Sequence, residues 1–61
     1  MKNKIKKYRL KKKLTQAELA KKIGKSQICI SLYETGRRKP DIYVAAKIAK
    51  ALETTLDNIF L

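Results

Sequence analysis

The chain contains no histidine and no tryptophan, one cysteine, one proline and two glycines. It also contains no apolar run approaching the ~20 residues that a membrane span requires. Each absence removes a class of molecule. Cys29 alone cannot close an intrachain disulfide, and without histidine the usual zinc ligand sets cannot be assembled, so neither staple nor metal compensates for a small core. Acids are scarce too, with Glu18, Glu34, Asp41, Glu53 and Asp57 scattered rather than clustered. There is no G-x-x-x-x-G-K phosphate loop, and every catalytic template lacks a member. The expectation is a non-enzyme with no metal, no cofactor and no small-molecule ligand. The lysine-rich start has the charge of a secretory signal but lacks the apolar stretch that must follow it, so a reducing cytoplasmic location is expected.

What is present is positive charge: 16 Lys and Arg against 5 Asp and Glu, a net of +11 in 61 residues. That length suits one domain, expected to span 1–61, which removes only about 60% of its unfolded surface from water. At 44% hydrophobic the chain can still fold. The charge is polarised: residues 1–39 carry 14 of the 16 cations and a net of +12, whereas residues 40–61 sum to −1. The first part suits an anionic partner and leaves the second free for another role.

Apolar residues recur at three and four, and alternation never persists, so the fold class is all-α with five short helices. The first is expected over about 2–13, with Ile5 and Tyr8 inward and Leu10 and Leu14 closing its far end. Thr15-Gln16-Ala17-Glu18 has capping-box spacing and opens a helix over 16–23, which stops at Gly24. Ser26 caps a third over 27–35, with Ile30 and Tyr33 inward and Gly36 as its stop. A basic loop, Arg37-Arg38-Lys39, follows, and Pro40 biases Lys39 away from helix. Asp41 then caps a helix over 42–52 with the stripe Ile42, Ala45, Ile48, Ala49 and Leu52. Thr54 or Thr55 opens a last turn over 56–60.

Gln16, Leu19, Ala20, Ile23, Gly24, Ile30 and Tyr33 stand at helix-turn-helix spacings, and Tyr33-Glu34-Thr35-Gly36-Arg37-Arg38-Lys39-Pro40 resembles the segment that follows the motif in Cro and phage repressors. Over roughly residues 3–60 the chain therefore resembles the Cro/phage-repressor family, lambda-repressor-like and XRE-type. Each position has a physical role. Ala20 is small where two helices cross, Gly24 permits the tight turn, and the aliphatic residues fill the wedge between the helices. The family often has glycine where this chain has Lys13 and Glu53, and a left-handed residue that carries a side chain costs about 1 kcal/mol. Ala45 stands where the family commonly has a larger aliphatic residue, so either Tyr43 or a neighbour fills the space or a small void remains.

The resemblance implies a sequence-specific regulator of transcription that binds double-stranded DNA. Its third helix would lie in the major groove, with Gln27, Ile28, Ser31 and Leu32 facing base edges. Gln16, Lys25, Thr35, Arg37, Arg38 and Lys39 would face phosphates. The lysines of the first helix would be mainly solvated, attracting phosphate as a group. Arg9 and Glu34 would pair and orient these surfaces. A homodimer on a two-fold operator is implied, with Leu56, Ile59, Phe60 and Leu61 at its contact, although Leu56 and Ile59 also suit a core. Repression by occupying the operator is the leading expectation. The alternative is a protein-interaction module of antitoxin or anti-repressor type on the same fold; charge-driven association with RNA or ribosomes ranks third. Ile28 and Leu32 separate these readings, because an apolar i, i+4 pair on an outer flank must be covered by thymine methyls, by the first helix or by a partner chain. Cys29, inside the third helix, reads as a small buried or half-buried filler, with a reactive sensor thiol as the alternative because cations and a helix N-terminus lower thiol pKa.

Overall fold

Capping residues set where the helices begin, and left-handed residues set where the connections between them turn. The computed structural model describes residues 3–61. Among them are five helices and no strand: α1 (Ile5–Lys11), α2 (Gln16–Ile23), α3 (Gln27–Glu34), α4 (Ile42–Ala51) and α5 (Leu56–Phe60). Both halves of the capping box exist. The Glu18 N–H donates to Thr15 Oγ1 (3.0 Å) and the Thr15 N–H to Glu18 Oε1 (2.8 Å). These bonds favour the ionised carboxylate and hold the Glu18 pKa below its usual range. Ser26, Asp41 and Thr55 accept from the backbone N–H of Cys29, Val44 and Asn58, which satisfies donors that a helix start leaves free. Of the two threonines before α5, Thr55 is the cap, while Thr54 Oγ1 accepts from the Asn58 side chain.

Gly24 closes α2 at φ +70°, where an L side chain is strained. Lys13 and Glu53 adopt the same left-handed backbone at φ 57° and 54° despite their side chains. The departures from glycine thus retain the family geometry at a conformational cost. Lys12 Nζ donates to Glu53 Oε2 across this end of the molecule and holds the Glu53 carboxyl below its ordinary pKa.

α1 is shorter than expected at both ends. Lys2 lies outside the described residues, and Asn3 takes over the start: its Oδ1 accepts from the Ile5 N–H (3.0 Å), and its Nδ2 donates to the Tyr33 carbonyl (2.8 Å). The Lys4 N–H donates to the Ile59 carbonyl, tying the start of α1 to α5. At the other end the left-handed Lys13 stops the helix.

Two inward assignments are corrected. Leu10 is 56% exposed, because Ile5, Tyr8 and Arg9 already form the inner stripe and Leu10 lies a further 100° round the helix. Ile42 is 65% exposed: the buried stripe of α4 is Val44, Ala45, Ile48 and Ala49, and Ile42 lines an open groove beside α5 instead. Tyr43 is also exposed and does not fill the space beside Ala45. That space is an apolar groove of about 570 Å³ between the start of α4 and α5.

The core joins Ile5 of α1, Leu19, Ala20 and Ile23 of α2, Ile30 and Tyr33 of α3, the α4 stripe with Leu52, and Ile59 of α5. α2 packs on both α3 and α4, α1 on α3, and α4 on α5. This is the lambda-repressor-like arrangement, with α2 and α3 as the helix-turn-helix.

Candidate nucleic-acid interface

α3 is anchored along one side only. Ile30 and Tyr33 are buried, which leaves the opposite flank without structural duty. Ile28 is 72% exposed on that flank, Gln27 is exposed, and Ser31 and Leu32 are half-buried. The four expected base-facing residues therefore share one side of the helix, and α1 does not cover Ile28. Cys29 is half-buried against the core, and its thiol pKa is lowered chiefly by the Ser26 hydroxyl.

A buried polar network fixes α3 relative to α1 and α2. Arg9 Nε donates to Glu34 Oε2 (2.6 Å), and a second guanidinium nitrogen to Glu34 Oε1 (3.3 Å). The third donates to the Leu14 carbonyl (2.7 Å), tying down the segment that leads into α2. Gln16 Nε2 donates to Glu34 Oε1 (3.1 Å). One carboxylate thus meets side chains from the two flanking helices, and the expected Arg9–Glu34 pair is present. Gln16 keeps a second amide hydrogen, since a primary amide has two. Sequence reasoning placed Gln16 at a phosphate but missed that Glu34 orients it.

The cationic residues follow local geometry. Lys25 is exposed in the turn before α3. After α3, the Arg37 and Arg38 N–H groups both donate to the Leu32 carbonyl (3.0 and 3.3 Å), folding the loop back onto the helix end while their side chains remain exposed beside Lys39. Thr35 differs from the rest. Its hydroxyl donates to the Ser31 carbonyl (3.0 Å), with that of Leu32 at 3.2 Å, so it has no second hydroxyl proton to offer a phosphate. Glu34, the only acid of α3, is buried against Arg9, which leaves this surface positive.

At the other end, Leu56 and Phe60 are half-buried and Leu61 is 91% exposed along the α4/α5 groove. Ile59 is 1% exposed and belongs to the core, so it has no side-chain surface for a dimer contact. Asn3 was missed altogether. Its signal was an asparagine two residues before the first inward position, which the surrounding lysines obscured.

Among the described residues no group of three or more His, Cys, Asp or Glu side chains could hold a metal, and no helix is long and apolar enough to cross a membrane. Comparison with known proteins agrees with the geometry. The helix-turn-helix family profile matches residues 5–59. An HTH-type transcriptional regulator of Methanocaldococcus jannaschii is 44% identical over 61 residues, which cover all of this chain and 92% of that protein. One from Archaeoglobus fulgidus is 36% identical, again over the whole chain and 86% of the relative. The regulator YqaE of Bacillus subtilis is 40% identical over 55 residues, 90% of this chain and 47% of the longer protein. The chain belongs to the helix-turn-helix family of transcriptional regulators.

Proposed function

We propose that this regulator reads duplex DNA with α3 in the major groove and acts as a repressor by occupying its operator. The observation that carries the reading is Ile28, 72% exposed on a flank that none of the chain's own helices covers. Ile28 and Leu32 suit thymine methyls, Gln27 can bond bidentately to adenine, and Ser31 reaches a base edge, so the preferred half-site is A·T-rich. Lys25, Arg37, Arg38, Lys39 and the free amide hydrogen of Gln16 take phosphates. Thr35 contributes through its position at the end of α3 rather than by donating its hydroxyl proton.

A recognition surface this short is completed by a second copy. Leu56, Phe60 and Leu61, joined by Ile42, offer a contiguous apolar area that can pack against its own copy. A two-fold pair needs such self-complementarity. It would place half-site centres about 34 Å apart or a multiple of that.

The test is selection of bound duplexes from a random pool at two salt concentrations, with wild type and the Ile28→Ala/Leu32→Ala double variant. Loss of contacts at one or two base pairs should weaken preference at those positions by roughly 5-fold to 100-fold each. An unchanged selected sequence in the double variant refutes the base-reading role. Binding should also weaken steeply with salt, in proportion to the phosphates neutralised. Weak salt dependence together with no selected sequence would favour an apolar protein partner on α3.

A further inference from the structure

Four lysines from distant parts of the sequence meet at a second concavity. Lys21 and Lys22 in the last turn of α2 and Lys47 and Lys50 in the second half of α4 line a cleft of about 620 Å³ together with Ile23, Gly24 and Ala51. No carboxylate lines it, and among the described residues none of these ammonium groups makes an ion pair or hydrogen bond. Lys22 also helps to lower the pKa of both Glu18 and Glu53. Lys21, Lys47 and Lys50, none of them in an ion pair, are gathered around a hollow, a distribution that focuses positive potential and attracts a polyanion.

The position of the cleft matters as much as its charge. α2 packs against α3 with one part of its surface and against α4 with another, and the cleft lies on the α2/α4 seam. Neither the exposed flank of α3 nor the Arg37–Lys39 loop contributes to it. It shares no residue with the surface assigned to the operator, although Gly24 of its lining directly precedes Lys25. Its donors are all lysines, compact point charges that follow a line of phosphates without the planar fork with which arginine selects a carboxylate.

We propose that this cleft binds the phosphodiester backbone of a second duplex segment, so that one chain holds two segments of DNA together. The proposal relies on the α3 reading only for the first duplex. The test uses the full chain. A bead-bound duplex is loaded with protein, and capture of a second, labelled random-sequence duplex is measured for wild type and for Lys21→Gln/Lys47→Gln/Lys50→Gln. All three positions are exposed, and the variant should keep the helical circular dichroism and melting temperature of the wild type; if it does not fold, Lys47→Gln/Lys50→Gln serves in its place. The expected result is efficient capture by wild type, a loss of about tenfold or more in the variant, and less than a roughly threefold change in binding to an isolated duplex with an unaltered salt slope.

Equal capture by wild type and variant overturns the proposal, as does no capture by wild type. It is also overturned if the variant loses isolated-duplex affinity and its salt slope falls by about 3, because the lysines then belong to the first duplex's footprint. Tighter lysine-dependent binding of a polyglutamate peptide than of the random duplex assigns the cleft to an acidic protein instead and overturns it as well. Lysine-dependent capture by a wild type that selects no operator sequence sustains this inference while refuting the α3 reading.

Discussion

Replacing Arg9 with methionine separates orientation from stability in the network beneath α3. Arg9 and Glu34 side chains are only 8% and 4% exposed, so deleting the guanidinium leaves a carboxylate out of water with Gln16 as its remaining side-chain donor. Breaking a buried pair from one side typically costs ~3–5 kcal/mol. The surviving Gln16 bond offsets part of this, which leaves an expected loss of about 2–4 kcal/mol. A domain of this size has roughly 3–9 kcal/mol in total. Arg9→Met should therefore lower the melting temperature by roughly 8–32 °C, at about 4–8 °C per kcal/mol. Arg9→Met/Glu34→Met removes both charges and should recover most of the loss, returning to within about 1–2 kcal/mol of wild type, because well-packed apolar replacements of buried pairs are often close to neutral. Urea unfolding followed by helical circular dichroism supplies the four corners of a double-mutant cycle, with an expected coupling of at least about 2 kcal/mol. A loss below about 1 kcal/mol in Arg9→Met, or a double variant no better than the sum of the singles, refutes the account. The recovered double variant should still bind DNA less well, since Gln16 loses its Glu34 anchor.

Lys13→Gly should raise stability by up to about 1 kcal/mol in the same urea assay, because residue 13 is left-handed at φ 57° and glycine adopts that backbone without penalty. Glu53→Gly at φ 54° should gain less, since it also gives up the Lys12 contact, and no gain at either position would show that strain there is negligible. Glu18 and Glu53 both have pKa values lowered by folding, so their contribution is present above the unfolded glutamate value of about 4.3 and is lost as pH falls through the lower folded values. Melting temperature should decline over that acidic window, and Lys12→Gln should reduce the decline; an identical profile in the variant contradicts the cause assigned to Glu53. Phe60→Lys/Leu61→Lys should shift sedimentation from dimer towards monomer and weaken operator binding, and an unchanged mass would remove the α4/α5 groove as the contact.

The fold was legible wherever local chemistry decides the backbone. Thr15, Ser26, Asp41 and Thr55 announce helix starts because their short side chains reach a free N–H, and Gly24 announces a stop because its turn needs φ +70°. Side-chain direction was less legible where the inner stripe contains something other than an aliphatic residue. In α1 the inward position next to Leu10 belongs to Arg9, so counting apolar residues sent Leu10 to the wrong side. In α4 the sequence offers Ile42, Tyr43 and Val44 in succession, and only the packing of the folded chain makes Val44 the buried one. The outward flank of α3 could be read because Ile30 and Tyr33 fix the phase of the helix. The Gln16–Glu34 bond and the lysine cleft could not, because each joins residues far apart in the chain whose proximity depends on how α2 packs.

The same packing explains how a short helix can present aliphatic residues to solvent. α3 contributes Ile30 and Tyr33 to the core, Glu34 to the Arg9 network, its first N–H groups to the Ser26 cap and its Leu32 carbonyl to the following loop. Both ends and the inner side are thus held by contacts that do not involve Ile28. Ile28 is 72% exposed, so truncating it removes little buried area and should leave the scaffold's stability nearly unaffected, whatever this flank contacts.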